Sequence, residues 1–249
     1  LVGSEMCIRD RPSINIGDMK NRGVDLSIGW RDKVGEFGYN ITANISRYKN
    51  EVTRLGSSDL FNDTRLSKVN ITTVGQPVGM FYGYQIEGIY QNEQDVISSG
   101  VLPYGVATEN DLVASAWVGR YKMKDVNNDG KIDADDRTII GNPHPDLTGG
   151  FNISLTWRDF DLSTYMYYSI GNDLYKHYEY YTMFGNLQSN YSKDRLAKSW
   201  DPVNNPNGIY PLWTTTSTEG PEAGNESNSN YVQDGSYLRM QTLTLGYSL

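Results

Sequence analysis

The sequence predicts an all-β protein that forms part of an antiparallel transmembrane β-barrel, an incomplete barrel with long extracellular loops. Apolar and polar residues alternate with a period of two at about five places, which predicts five strands of barrel length, roughly 9 to 11 residues each. The chain is also rich in tyrosine and glycine, with 19 Tyr and 25 Gly among 249 residues. No run of 18 apolar residues occurs, which excludes a transmembrane helix.

The first predicted hairpin shows this alternation clearly. Val24, Leu26, Ile28 and Trp30 alternate with small or polar residues, and a polar link over 31–38 leads to a second strand with Tyr39, Ile41, Ala43 and Ile45 on one face. Its other face carries Asn, Thr and Ser, which suits a water-filled lumen, and aromatic residues flank the turn, as in the girdles of membrane barrels. A soluble β-sandwich has the same alternation and is the alternative.

A second hairpin follows the same pattern at 151–164, and the last predicted strand is at 242–249. Arg158 and Asp159 form the predicted turn, with Trp157 and Phe160 beside it. Because short turns of bacterial barrels face the periplasm and long loops face outside, the excursions at 49–149 and 171–236 are predicted to be extracellular.

Both excursions contain local structure of their own. Small strands are expected near 75–84, and a helical turn capped by Asn92 is expected from Asn92 to Ser98. A second helix is predicted from Ser192 to Trp200, and 214–230 is a low-complexity loop tip. Six aromatic residues are candidates for contact with a ligand or partner, with packing inside the loop as the alternative: Tyr175, Tyr178, Tyr180, Tyr181, Trp200 and Trp213.

The stretch DVNNDGKIDADD at 125–136 has the spacing of a calcium loop of EF-hand type. The predicted metal ligands are Asp125, Asn127, Asp129, Asp133 and Asp136 through their side chains, and Lys131 through its carbonyl. Gly130 provides the sharp turn, and Ile132 is expected to anchor the loop on apolar neighbours. Asp136 stands where calcium sensors use a bidentate Glu, so a structural Ca²⁺ of low affinity is predicted. An acidic turn that binds no metal is the alternative.

Composition and motifs argue against several other functions. The net charge of −8 disfavours nucleic acid or an anionic lipid surface as a partner. The two histidines, His144 and His177, have no nucleophile in a recognisable motif, and no phosphate-binding glycine loop or zinc motif occurs. We therefore expect no enzyme activity and no organic cofactor.

Five stretches together resemble one family. They are DVNNDGKIDADDRTIIGNPHPDLTGGFNISLTWRDFDLS at 125–163, NRGVDLSIGWRD at 21–32, GQPVGMFYGYQIEGIYQNEQDV at 75–96, KSWDPVNNPNGIYPLW at 198–213 and SYLRMQTLTLGYSL at 236–249. Taken in their order along the chain, they are similar to SusC/RagA-type TonB-dependent outer-membrane transporters.

The resemblance implies a large barrel with an N-terminal plug, which imports oligosaccharides or peptides across the outer membrane of a Gram-negative bacterium. It implies outer-membrane lipid around the barrel, a SusD-like surface lipoprotein as partner, and energy from the TonB complex through an N-terminal region that is not recognisable here. A secreted carbohydrate-binding or dockerin-like module with a calcium loop is the alternative function, although dockerin-type modules need two such loops.

The start of the chain does not look like part of this domain. LVGSEMCIRDR at 1–11 resembles a translated adapter remnant and contains the single cysteine, Cys7. We therefore expect 12–249 to be a partial barrel domain. About five strands cannot close a membrane barrel, because a bilayer leaves an open sheet edge without hydrogen-bond partners.

Overall fold

The structure, a computed structural model, describes residues 17–56, 59–62, 68–184, 190–213 and 221–249. The predicted adapter remnant at 1–11 and the first part of the low-complexity tip, 214–220, lie outside the described residues.

Five long antiparallel strands form one sheet, called the wall below. The wall strands are β1 (Gly17–Val34), β2 (Phe37–Leu55), β9 (Leu147–Trp157), β10 (Phe160–Ile170) and β13 (Tyr237–Tyr247), and they lie in the order β1-β2-β9-β10-β13. Each predicted alternating stretch corresponds to one of these strands, and only the last, 242–249, extends past its strand, which ends at Tyr247. The predicted all-β antiparallel class is confirmed.

Tight turns connect the wall strands at one end. Gly35 and Glu36 connect β1 to β2, and Arg158 and Asp159 connect β9 to β10. The first residue of each turn has a positive φ, 59° at Gly35 and 52° at Arg158, which suits a two-residue hairpin turn. The observed connection is therefore shorter than the predicted link at 31–38, because cross-strand pairing continues to Val34 opposite Phe37.

The strand β2 is longer than the sequence predicts. The first excursion was expected to begin at 49, but β2 continues to Leu55 and pairs with β1 as far as Gly17. Residues 47–51 are mostly charged and show no apolar face, so alternation gives no sign of a strand there. Backbone hydrogen bonding to β1 supplies the pairing that the side-chain pattern does not indicate.

The excursions between the wall strands carry short elements. The first holds β3 (Leu60–Asn62), β4 (Asn70–Thr72), β5 (Met80–Gly83), β6 (Ile86–Ile89), α1 (Glu93–Ser98), β7 (Tyr121–Met123) and β8 (Thr138–Gly141), and the second holds β11 (Asp173–Tyr175), α2 (Asp194–Lys198) and β12 (Val232–Asp234). Single turns of 3₁₀-helix occur at Glu109–Asp111, Ala114–Ala116, Ala134–Asp136, Pro221–Ala223 and Ser229–Tyr231, and a π-helical turn at Tyr180–Phe184. None of the helices among the described residues is long and apolar enough to cross a membrane.

Two of these elements were predicted from local signals. The Asn92 side chain accepts a hydrogen bond from the Asp95 amide at 2.9 Å, so the predicted cap of α1 is confirmed. The second predicted helix is present but shorter, at Asp194–Lys198, before the turn that contains Pro202.

The hydrophobic core lies in the excursions and not against the wall. One cluster contains Tyr84, Tyr121, Met123 and Ile132, and a second contains Val69 and Tyr231. Phe184 packs against both clusters. The two excursions thus form one packed unit at one end of the wall.

Candidate functional site

One face of the wall is apolar and exposed. Cross-strand pairing places Leu26 beside Ile45, and Leu162 between Leu155 and Leu245. Exposure reaches 62% at Ile28 and 72% at Leu245. Exposed members of this apolar face are Val24, Leu26, Ile28, Trp30, Ile41, Ile45, Phe151, Leu238, Met240, Leu243 and Leu245. A contiguous apolar patch of this extent marks a surface that contacts a membrane or another protein.

The opposite face of the wall is polar. Asn40, Thr42 and Asn44 of β2 lie beside Ser154, Asn152 and Gly150 of β9. Ser163 of β10 continues the same row between Ser154 and Thr244. The sheet therefore separates an apolar side from a side that suits water, as the alternation predicted.

An aromatic row crosses the wall at the end with the tight turns. Phe37 pairs with Trp157, Trp157 with Phe160, and Phe160 with Tyr247, so four neighbouring strands carry an aromatic ring at the same level. The rings of Phe160 and Tyr247 have centroids 4.8 Å apart. Such rows occur where the hydrocarbon of a bilayer meets its polar surface.

The first excursion folds back over the polar face at the other end of the wall. The Val52 amide donates to the Gln76 carbonyl at 3.0 Å, and the Val78 amide donates to Oδ1 of Asn50 at 2.9 Å. Asn50 and Val52 are buried by this contact. The excursion therefore covers the polar face of β2 and leaves its apolar face clear.

The excursions interlock through backbone hydrogen bonds. The Tyr84 amide donates to the Ser227 carbonyl, and the Ser229 amide donates to the Tyr84 carbonyl, both at 2.9 Å. A Cβ on Gly83 would lie 2.3 Å from the Ser227 carbonyl oxygen, so glycine is required for this close approach.

Buried tyrosines fill the shared core. Tyr175 stacks on Tyr231 with ring centroids 5.4 Å apart, and its hydroxyl donates to Oγ of Ser227 at 2.9 Å. Burial raises the pKa of the Tyr121, Tyr175 and Tyr231 hydroxyls well above their usual range, because the ionised form would lose its hydration.

The acidic loop at 125–136 has a compact hydrogen-bonded form. Asp125 accepts from the amides of Asn128 at 2.6 Å and Gly130 at 2.8 Å, and Gly130 has a φ of 86°. Asp136 is 0% exposed and accepts from the amides of Val126 at 2.9 Å and Asp133 at 2.8 Å. These carboxylates therefore fix the backbone of the loop.

Two side chains of the loop tie it to its surroundings. Ile132 is buried against Tyr84, Tyr121 and Met123, which confirms its predicted anchoring role. Nζ of Lys131 lies 2.6 Å from Oδ2 of Asp133 and 3.7 Å from Oδ2 of Asp129. Its hydrogen bond to Asp133 raises the pKa of Lys131 and lowers that of the carboxyl.

The five predicted ligand side chains accept hydrogen bonds from backbone amides within the loop. Among the described residues, no group of three or more His, Cys, Asp or Glu side chains has the geometry to hold a metal ion. Asp136 is engaged by two amides, and the Lys131 ammonium stands among the carboxylates. Calcium binding by this loop stays a prediction.

The six aromatic candidates for ligand contact lie in different surroundings. Tyr175 and Tyr180 pack against the core, and Trp200 is 3% exposed, with its Nε1 donating to Oε1 of Gln91 at 2.8 Å. Tyr178 is 62% exposed and Trp213 is 42% exposed. Tyr181 is half-buried against the ring of His177. The exposed pair is thus the part of the set that a ligand can reach without rearrangement.

Trp213 takes part in a cation–π cluster with Arg195 and Tyr191 that the sequence did not predict. The Arg195 guanidinium carbon lies 4.0 Å from the ring centroid of Tyr191 and 5.6 Å from that of Trp213. Tyr191 and Arg195 are four residues apart, which is a local signal, but Trp213 joins them only through the fold.

The two histidines have structural contacts. Nε2 of His144 lies 2.8 Å from the carbonyl oxygen of Val78, and His177 packs between Tyr175 and Tyr181. Neither contact forms a nucleophile–base pair.

The chain is similar over nearly its whole length to proteins named as TonB-dependent receptors. TonB-dependent receptor P3 of Formosa agariphila is 32% identical over 245 residues, which are 94% of this chain and 22% of that protein. TonB-dependent receptor SusC of Bacteroides thetaiotaomicron is 27% identical over 250 residues, which are 94% of this chain and 21% of that protein. No protein-family model matches the chain.

Solved structures show the same fold. The RagAB peptide importer in its closed-closed state matches with a TM-score of 0.64 at 23% identity, over 94% of this chain and 23% of that one. The chain thus spans about a fifth of the length of the curated relatives it matches.

Proposed function

We propose that this chain, which is homologous over 94% of its length to SusC/RagA-type TonB-dependent receptors, forms part of a nutrient importer in the outer membrane of a Gram-negative bacterium. The exposed apolar face of the wall, opposite a polar face, carries this proposal. A secreted module would have to cover such a face, whereas the hydrocarbon of a bilayer surrounds it directly.

The ends of the wall support an orientation for it in the membrane. The two tight turns and the aromatic row lie at one end, and the interlocked excursions lie at the other. Since short turns of bacterial barrels face the periplasm, the excursions would lie outside the cell. The polar face would then line the lumen, with the first excursion folded over it at the mouth.

The proposed substrate class is oligosaccharides or peptides, and the proposed partners are a SusD-like surface lipoprotein and the TonB complex. The relationship to SusC and to the RagAB peptide importer supports these assignments at the level of class. The excursions would meet the lipoprotein and the incoming ligand, with Tyr178 and Trp213 among the side chains available for contact. The TonB complex would act through a receptor region other than the wall described here.

Deletion of the gene in its source organism tests the transport function. The deletion strain should lose growth on one class of nutrient, either a polysaccharide or a protein, and regain it when the full-length gene is returned. The protein should fractionate with outer membranes and remain there after a high-salt wash. Recovery in the soluble periplasmic or secreted fraction would contradict the proposal.

A further inference from the structure

Four basic residues continue the apolar face of β1 and β2 beyond its last apolar side chains. On β1, Lys20 and Arg22 follow the period-two series of Leu26 and Val24; on β2, Arg47 and Lys49 follow that of Ile45. Arg22 pairs directly with Lys49, and Arg47 with Val24. All four residues are exposed. Lys20, Arg22, Arg47 and Lys49 are called the basic cluster below.

The basic cluster lies where the apolar band ends. Along β2 the band runs from Phe37, in the aromatic row, to Ile45, which is about the length of a transmembrane strand. Ile45 is level with Gly149, and Gly149 with Tyr168, whose ring lies 5.6 Å from that of Phe151. Aromatic side chains therefore mark both ends of the band, and the basic cluster begins immediately beyond the end near the excursions.

The charges of the basic cluster are not balanced within the described residues. Glu51 approaches Lys49 at 3.6 Å, and Asp18 pairs with Arg54, but no ion pair involves Lys20, Arg22 or Arg47 in the described ranges. Four basic residues and one acidic residue, Glu51, leave a local charge of +3. Like charges directly opposite each other, as at Arg22 and Lys49, destabilise a strand pair unless an anion lies between them.

We propose that the basic cluster binds the phosphate groups of lipid headgroups at the outer rim of the membrane. This inference rests on the proposed function, because it needs the apolar face to lie in lipid and the excursions to lie outside. A phosphate at this level would bridge Arg22 and Lys49, and guanidinium groups suit it through paired hydrogen bonds. The chain's net charge of −8 disfavours an anionic lipid surface as a general partner, but it does not describe this local patch.

Lipid titration of the full-length protein in neutral detergent tests the inference. The probes are lipid A, which carries phosphates on a lipid, inorganic phosphate, and phosphatidylcholine. We expect lipid A to bind most tightly of the three probes. The triple variant Arg22→Gln, Arg47→Gln and Lys49→Gln should bind lipid A with an affinity lower by a factor on the order of ten. Equal affinity in the triple variant would overturn the inference, as would binding of inorganic phosphate as tightly as lipid A.

A matched control removes three charges from the polar face. Arg31, Lys33 and Arg239 lie on the polar face of β1 and β13 by register, so their replacement by Gln should leave lipid A affinity unchanged. An equal loss in this control would overturn the assignment to the basic cluster.

The single variant Arg22→Gln gives an independent readout of the same site. Without anionic lipid it should raise the unfolding temperature, because one of two opposed like charges is gone. Lipid A should then stabilise this variant less than the parent protein. Membrane fractionation of every variant separates the two claims: a parent protein absent from the outer membrane contradicts the proposed function, whereas unchanged lipid A affinity in inserted variants contradicts only this inference.

Discussion

Two adjacent glycines show how single residues set the packing of the wall. A Cβ on Gly149 would lie 2.2 Å from the Asn44 carbonyl oxygen and 2.4 Å from the Tyr168 hydroxyl oxygen. On the other face, a Cβ on Gly150 would lie 3.1 Å from the ring of Tyr165. Each glycine thus leaves room for a tyrosine of β10 to lie across β9. The sequence shows the Gly-Gly pair but not which rings cover it, since that depends on strand register.

Replacement of Gly149 by Ala should destabilise the wall. The added methyl group meets a backbone oxygen that cannot move without breaking the strand pair, so we expect a loss of about 1–3 kcal/mol in the free energy of unfolding. Gly29→Ala is the matched control, because the nearest atom to its Cβ is 3.6 Å away. Unfolding monitored by heat-dependent migration of the folded barrel measures both variants. Equal stability of the two would show that the close contact at Gly149 carries no cost.

At the scale of elements, alternation predicted the centres of the wall strands and missed their ends. Residues 24–30 and 39–45 alternate because one face of the sheet is apolar and the other polar, so the pattern is visible in the sequence. Beyond Ile45 the strand continues with charged residues, and only backbone pairing to β1 defines it. Capping of α1 was predictable because Asn92 acts on an amide three residues away. The acidic loop was predictable as a turn, but its Lys131 contacts were not.

Calcium binding by the acidic loop is testable with two aspartate variants. Isothermal titration of the full-length protein should give a dissociation constant on the order of 10⁻⁴ to 10⁻³ M, as in extracellular calcium modules. Asp129→Ala should weaken binding by about tenfold or more, because it removes a ligand at position 5 of the loop. Asp135→Ala removes the same charge from a position that supplies no ligand and should leave affinity nearly unchanged. Absence of binding at millimolar Ca²⁺ would leave the loop as an acidic turn.

The buried tyrosines make the packed excursions sensitive to alkaline pH. An unfolded tyrosine ionises near pH 10, whereas burial raises the pKa of Tyr175 in the folded state. Their contribution to stability is therefore complete below about pH 10 and is lost as pH rises above it, by about 1.4 kcal/mol per pH unit for each tyrosine. Tyr175→Phe should make this loss less steep, and Tyr178→Phe should not, because Tyr178 is exposed. Near-ultraviolet circular dichroism against pH measures the slope, and equal slopes in the two variants would contradict this account.

At the scale of the whole molecule, the sequence predicted the wall and its two faces but not how the excursions pack. The contact of Tyr84 with Ser227 joins residues far apart in the chain, and no periodic pattern signals it. The same holds for Trp200, which the sequence offered as a contact residue and the structure places in the interior. The wall was predictable because its strands repeat one alternating pattern, whereas the packing of the excursions depends on individual long-range contacts.

Site-directed spin labelling along β13 tests whether the apolar face of the wall lies in lipid. Single labels at Thr242, Leu243, Thr244 and Leu245 would be introduced into a cysteine-free version of the full-length protein and studied in lipid vesicles. Labels at 243 and 245 should be accessible to oxygen dissolved in lipid, and labels at 242 and 244 to a water-soluble paramagnetic reagent. Equal access of the water-soluble reagent to all four positions would contradict the claim that this sheet is part of a membrane barrel.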